Sequence, residues 1–225
     1  MKRVLLSWSS GKDSARALAW LQSEPELELA GLITSFNRDA GRVAMHAVRR
    51  ELVQRQAASI GLPLLEVELE APGTNESYIR AMGTALVQAK YDWHVTHVAF
   101  GDLYLEDVRE FREKQLQPLR LEPVFPLWGL DTHELAAEIV ATGIKAIVTC
   151  VDPKVLPADF VGRDYNRSFL DDLPAGVDPC GENGEFHSFV WDAPGFTEAV
   201  PVVAGDRVQR GGFEFIDLCP VTTGH

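Results

Sequence analysis

The stretch Val4-Leu5-Leu6-Ser7-Trp8-Ser9-Ser10-Gly11-Lys12-Asp13-Ser14-Ala15-Arg16-Ala17-Leu18-Ala19-Trp20-Leu21 decides the fold. Val4 to Leu6 read as a short buried strand. Ala15 to Leu21 read as a helix with Leu18 and Leu21 on one face. Between them, Ser9 to Ser14 form a loop of small residues. Strand, loop and helix in that order aim backbone N–H groups and a helix N-terminus at an anion. The hydroxyls of Ser9, Ser10 and Ser14 add donors and Lys12 adds a cation, so phosphate suits the loop best. The bland alternative is an ordinary βα turn rich in Ser and Gly.

The loop is not a Walker A motif. Leu6 stands where the first glycine of that motif belongs, and Asp13 follows Lys12 in place of Ser or Thr. A single glycine also rules out the dinucleotide fingerprint. The loop resembles instead the PP-loop, the S-G-x-D-S signature of the ATP pyrophosphatases (adenine nucleotide alpha-hydrolase-like proteins). That resemblance implies cleavage of ATP between its α- and β-phosphates, with Ser9, Ser10, Gly11, Lys12, Asp13 and Ser14 gripping the leaving pyrophosphate.

Composition sets the outer bounds. The chain has 225 residues, enough for one large α/β domain or one domain with a smaller addition. Hydrophobic residues make up 46%, which supports a sizeable core. A net charge of −12 argues against nucleic-acid binding through bulk electrostatics, although a local basic patch around Arg49, Arg50 and Arg55 stays open. Cys150, Cys180 and Cys219 are widely spaced, without a C-x-x-C, which points to a reducing compartment. No apolar run is long enough for a signal peptide or a membrane span. A cytoplasmic enzyme is therefore expected, and a homodimer is compatible with this reading.

Strand and helix patterns then alternate along the chain. Leu27 to Thr34 read as a second strand ending at Ser35, Phe36 and Asn37, where open α/β sheets bind ligands. A helix is expected over Ala44 to Ile60, closed by Gly61 and Pro63. Leu64 to Leu69 read as a strand, and Thr74 caps a helix running to about Lys90. His94 and His97 are better explained as exposed residues at a strand start than as zinc ligands. Val98-Ala99-Phe100 lead into Gly101-Asp102, again at the ligand edge. Asp102 can hold Mg²⁺, contact substrate, or simply cap the next helix. On that helix, Arg109 and Glu113 sit four residues apart as a solvated pair would. Asp131 caps a further helix, and Lys145 to Val151 read as the last parallel strand. The alternation implies a doubly wound, mainly parallel α/β sheet over residues 1–151, the nucleotide-binding domain. Residues 152–225, rich in Gly, Pro and short strands, are expected to form a small C-terminal substrate subdomain.

Asp178-Pro179-Cys180-Gly181-Glu182-Asn183-Gly184-Glu185-Phe186-His187 is the second unusual stretch. Its glycines let the chain fold tightly against a ligand. Glu182 and Glu185 can hold Mg²⁺ or an attacking amine, and His187 can move a proton. An acidic surface loop is the plain alternative. Cys180 has no base beside it and reads as structural rather than nucleophilic.

Taken together, Ser10 to Ser14, Gly101-Asp102, Arg109 and Glu113, Pro126-Leu127-Trp128, Gly162-Arg163 and Gly181 to Glu185 resemble the diphthine–ammonia ligase family, the N-type ATP pyrophosphatases. Gly181-Glu182-Asn183-Gly184-Glu185 is close to that family's Gly-Glu-x-Gly-Glu-aromatic signature. The chain departs from the family in having Ser9-Ser10 where Gly-Gly is common. A second helix arginine falls at Phe111, with Arg112 adjacent.

The resemblance implies a Rossmann-like, HUP-type fold and the substrates ATP with Mg²⁺, ammonia and a carboxylate-bearing acceptor. In the family that acceptor is diphthine, a modified side chain of elongation factor 2, and short members can serve another carboxylate. Lys12, Asp13, Glu182 and Glu185 would be catalytic. Thr34, Ser35, Phe36, His46, Gly101 and Asp102 would join the loop around the nucleotide. Arg109, Glu113, Gly181, Glu182, Gly184 and Glu185 would meet the acceptor, and Asp13 and Asp102 would hold the metal. The expected reaction is amide formation through an acyl-adenylate. Two alternatives stay open: a tRNA-modifying PP-loop enzyme, and a non-catalytic adenine-nucleotide sensor.

Overall fold

A computed structural model describes residues 1–43, 48–70 and 73–221. Its first half alternates as the sequence implies. The elements are β1 (Lys2–Ser7), α1 (Lys12–Ser23), β2 (Leu27–Asn37), β3 (Arg42–Val43), α2 (Arg50–Ile60), β4 (Leu64–Leu69), α3 (Asn75–Asp92), β5 (His97–Ala99), α4 (Glu106–Leu116) and β6 (Glu122–Val124). β1 is the central strand, with β2 and β5 parallel on its two sides. β4 runs parallel to β2, and β6 parallel to β5. The short β3 lies antiparallel against the end of β2.

Alternate residues of β1 serve opposite faces, as a pleated strand requires. Val4 and Leu6 pack with Leu18 and Leu21 of α1 and with Leu52 and Val53 of α2. Leu5 packs on the other face with Met82 and Leu86 of α3 and Leu116 of α4. The sheet is therefore covered on both sides, the doubly wound arrangement. Local signals close the helices where expected: Thr74 makes a capping box with Ser77, Asp131 accepts from the N–H groups of His133 and Glu134, and Gly61 ends α2 in the left-handed region.

The second half holds α5 (Thr132–Ala141), β7 (Lys145–Val151), α6 (Arg167–Asp171), β8 (Phe186–Asp192), β9 (Val202–Arg210) and β10 (Phe213–Pro220). Its sheet is wholly antiparallel, ordered β8-β7-β10-β9. Here one expectation fails. Lys145–Val151 does not extend the parallel sheet; it pairs antiparallel with β8 and β10. Its unbroken apolar run reflects burial on both faces, because the second sheet stacks on the helices of the first. Val148 of β7 and Phe189 and Val190 of β8 share one core with Leu6 and Leu18. That single core locks the two sheets together.

The helix expected from Ala44 starts later. Arg49 is extended (φ −63°, ψ 139°) and bridges to Arg42, so α2 begins at Arg50. Residues 44–47 lie outside the described part of the chain, and the expectation for His46 falls there. No helix among the described residues is long and apolar enough to cross a membrane.

Candidate active site

β1 ends at Ser7, and Ser10 turns the chain in the left-handed region, with φ 69°. Such a φ is costly for a residue with a Cβ and persists only where the surroundings hold it. Two contacts do so. The Ser10 carbonyl accepts from the Val190 N–H at 2.9 Å and from Gln56 Nε2 at 3.2 Å. Gln56 also bonds the Val190 carbonyl at 2.6 Å and, through Oε1, the Trp8 indole N–H at 2.9 Å. A single buried amide thus ties the loop to β8 and to the end of β1. Within the loop, Ser14 Oγ donates to the Gly11 carbonyl at 2.8 Å, and Ser9 and Ser14 hydroxyls lie 3.1 Å apart. The Lys12 N–H donates to Ser188 Oγ of β8 at 3.2 Å.

Lys12 is the buried charge of the site, with 2% of its surface exposed. Its Nζ donates to Asp13 Oδ2 at 2.9 Å and to the Cys180 carbonyl, and lies over the Phe186 ring at 5.1 Å from the centroid. Burial works against the ammonium, but Asp13 and the further negative groups around it outweigh that and raise its pKa. The lysine therefore stays charged while almost wholly buried, where a cation acts more strongly on a phosphate than it does in bulk water.

The turn at Gly101 closes the next side. A Cβ there would lie 3.2 Å from the Asp13 carbonyl carbon and 3.3 Å from the Ser14 nitrogen, so only glycine lets this turn approach the loop so closely. It delivers Asp102, which does not cap α4; Leu105 holds that position. Asp102 Oδ2 faces Arg112 Nε at 3.5 Å instead. Arg112 also donates to the Tyr78 hydroxyl at 3.1 Å and lies over the Phe100 ring.

Asp178 to Glu185 close the third side. Gly181 (φ +70°) sits against Phe186, whose carbonyl would be 2.8 Å from an added Cβ. Asp178 folds the loop by accepting from the N–H groups of Cys180 at 3.2 Å and Glu182 at 2.9 Å. Glu182 Oε1 accepts from the Leu103 N–H at 2.7 Å, joining this loop to the Gly101 turn. Burial pushes the Glu182 carboxyl up to about 7, with Asp13 and Asp102 adding to the rise against the Leu103 hydrogen bond. Glu185 turns the other way. It is 7% exposed, and its Oε1 accepts from Asn183 Nδ2 at 2.9 Å and the Asp178 N–H at 3.3 Å, bracing the loop from behind.

The three segments enclose a cavity of about 210 Å³, whose lining includes Ser9, Lys12, Asp13, Gly101, Asp102, Arg112, Glu182, His187 and Ser188. Burial, then Lys12, pushes His187 down to about 4, so at neutral pH it is an uncharged imidazole. Burial pushes the Cys180 thiol up to about 12, and its Sγ lies 3.4 Å from the Thr132 carbonyl; it is a protonated, structural cysteine.

The expected residues do not all gather here. Ser9, Gly11 to Ser14, Gly101, Asp102, Gly181 and Glu182 line the cavity. Ser10 shapes the loop from behind. Thr34 donates to the Trp8 carbonyl at 2.7 Å, Phe36 is buried beneath the Arg50 guanidinium, and Ser35 is half-buried on the same strand. All three lie outside the lining. Arg109 and Glu113 pair with each other at 2.9 Å, with Arg109 stacked on Phe125 and Trp128. The arginine that reaches the cavity is Arg112. Gly184 closes the turn by donating to the Gly181 carbonyl at 3.1 Å.

Asp13 Oδ1 is buried without a hydrogen-bond partner, Asp102 Oδ2 has only its 3.5 Å ion pair with Arg112, and both residues line the cavity. Hard divalent cations bound with a nucleotide need only one or two such carboxylates beside the phosphates. Mg²⁺ accompanying a nucleotide fits this pair. Among the described residues no cluster of three or more ligands for a stand-alone metal is present.

Fold and site together define an α/β protein whose Ser9–Ser14 loop and acidic Asp178–Glu185 loop meet at one cavity beside the C-terminal edge of a parallel sheet, the place where such sheets bind ligands. Two family models cover most of the chain: the diphthamide synthase N-terminal domain over residues 1–120 and the diphthamide synthase C-terminal domain over residues 131–218. The diphthine–ammonia ligase of Rattus norvegicus is 31% identical over 95% of this chain and 87% of its own length. That of Danio rerio is 27% identical over 72% of this chain and 69% of its own. The Homo sapiens enzyme is 30% identical over 49% and 44%, respectively. The chain belongs to the diphthamide synthase family.

Proposed function

We propose that this chain is an ATP-dependent, carbon–nitrogen bond-forming ligase that adenylates an acceptor carboxylate and transfers ammonia to it; the name of its relatives, diphthine–ammonia ligase, supports the ligation of ammonia. One observation carries the reading: a fully buried, charged Lys12 in a phosphate-type loop faces the acidic Gly181-Glu182 turn across one cavity. A plain nucleotide sensor has no use for the second half of that arrangement. The tRNA-modifying alternative gains nothing from a cavity walled by carboxylates.

The triphosphate lies along Ser9 to Ser14. An acceptor carboxylate oxygen attacks the α-phosphorus, the bond from that phosphorus to the bridging oxygen breaks, and pyrophosphate leaves toward Lys12. The charge that builds on the bridging oxygen meets a desolvated ammonium and the donors of the loop, the electrostatic contribution that dominates phosphoryl and nucleotidyl transfer. Mg²⁺, when bound with the nucleotide, neutralises phosphate charge, and Asp13 and Asp102 are the residues that would hold it. Ammonia nitrogen then attacks the acyl carbon of the mixed anhydride and AMP leaves. With a pKa near neutrality, Glu182 can take the proton that the nitrogen sheds. Glu185 keeps the loop that carries Glu182 in shape. In this proposal the parallel-sheet half grips the nucleotide and the half from α5 onward, β7 included, carries most of the acceptor-handling surface, in the cytoplasm, where the thiols stay reduced.

The test is product analysis with Mg-ATP, ammonium and elongation factor 2 bearing diphthine. AMP and pyrophosphate that vanish in Lys12→Ala and Asp13→Ala are expected. ADP and phosphate would contradict the reading.

A further inference from the structure

A second, larger cavity of about 670 Å³ lies against the back of the Asp178–Glu185 loop. Its lining includes Tyr104, His133, Ala137, Leu170, Ala175 and Asn183, drawn from the Gly101 turn, α5, α6 and the segment after α6. The two cavities share a partition. Asp178, Pro179 and Asn183 face the larger one, while Cys180, Gly181 and Glu182 face the smaller. The partition is stitched by two bonds from the Gly101 turn: Leu103 N–H to Glu182 Oε1, and Tyr104 hydroxyl to Asp178 Oδ2 at 3.2 Å.

We propose that the larger cavity seats the body of the acceptor, whose carboxylate reaches past the Asp178–Glu185 partition to the nucleotide. This rests on the ligase reading above. Size is the first argument. At about 210 Å³ the smaller cavity falls below the roughly 300–1,000 Å³ of ordinary ligand sites, so it has no room for a second substrate beside a triphosphate; the larger one lies within that range.

Chemistry is the second argument. The larger cavity does not suit another phosphate. Its one arginine, Arg167, is paired with Asp171 at 2.9 Å, and Asp178 adds an anion. Apolar walls from Ala137, Leu170 and Val177 face a polar side made by Tyr104, Thr132, His133, Asp178 and Asn183, and that two-sided lining fits an extended amphipathic side chain. Position is the third. An acceptor seated there touches the loop that carries Glu182, so it meets the group that handles the ammonia proton.

Ala137 and Ala175 are exposed residues of this wall and belong to neither the loop nor the nucleotide cavity, so tryptophan at either fills the space without touching the ATP site. The experiment compares wild type, Ala137→Trp and Ala175→Trp for ATP affinity by calorimetry. It also compares AMP release against a titration of elongation factor 2 bearing diphthine. The expected result is ATP affinity within about twofold of wild type and an acceptor KM raised at least tenfold in both variants. Variants that keep the wild-type acceptor KM, beside an active wild type, overturn the cavity assignment alone. A wild type that releases no AMP with this acceptor overturns the ligase reading, and this assignment with it.

Discussion

The Ser9–Ser14 loop and the Asp178–Glu185 loop meet in one cavity, but they are built by opposite means. The first is local. β1 stops, Ser10 reverses the chain, and α1 starts, so six adjacent residues bring the donors and the cation together. The second owes its shape to its own glycines and to the Glu185 brace. It reaches the site only because Phe186 leads into β8, which the second sheet carries over the first. The chemistry of each loop is written in its own residues. The alignment of one against the other depends on partners far away in the chain: Gln56, Ser188 and Leu103.

The strongest test of this contrast is at Lys12. Lys12→Ala removes the cation and leaves buried Asp13 unpaired, so AMP formation should fall by on the order of 10²–10³-fold, the usual loss for one preorganised donor to developing charge. An effect under tenfold in steady-state assays would mean that the local loop is not the electrostatic centre.

Glu182→Gln comes next. It keeps the Leu103 contact through the side-chain carbonyl but removes the base, which predicts a loss of on the order of 10²-fold in ammonia transfer. The pH profile sharpens this. Because the carboxylate is the active form, wild-type transfer measured at constant free ammonia should rise with pH through about 7, and Glu182→Gln should lose that rise. The stability sign is opposite. Folded Glu182 holds its proton over the range from about 4.5 to 7, where the unfolded chain has released it, so this group costs stability as pH rises through that window. His187 adds the reverse trend: buried and depressed to about 4, it costs stability as pH falls from about 6.5 toward 4.

Gln56→Ala probes alignment alone. It strips partners from the Ser10 and Val190 carbonyls and the Trp8 indole, and a loss of about 1–3 kcal/mol in urea-unfolding stability is expected, with weaker ATP binding. Glu185→Gln should do least. It preserves acceptor capacity toward Asn183 and Asp178, and a loss of about 1 kcal/mol, roughly fivefold in rate, is expected. A Glu185 effect as large as that of Glu182 would place it in the chemistry and blur the distinction between the two carboxylates.

Much of this was legible in the sequence. The β1–loop–α1 unit, the Gly101 turn, the caps at Thr74 and Asp131 and the C-cap at Gly61 are decided by adjacent residues. β7 misled because a continuous apolar run reports burial on both faces and not the direction of its neighbours. α2 starts late because Arg49 pairs with Arg42 before the helix can begin, a contact that helical periodicity does not encode. Arg112 is one of several charges on α4, and only packing against Phe100 and Asp102 selects it over Arg109. Gln56 sits on the buried side of an ordinary amphipathic helix. A polar residue on that face is the one local hint that it has partners to satisfy.

The central claim is that a carboxylate is adenylated in the cavity between these two loops. The most direct measurement supplies the acceptor with ¹⁸O in its carboxylate and reads the AMP by mass spectrometry. Adenylation predicts one ¹⁸O atom in each AMP, carried over when ammonia displaces it. AMP formed with no label would show that the carboxylate never attacks the α-phosphorus, and the account would be wrong.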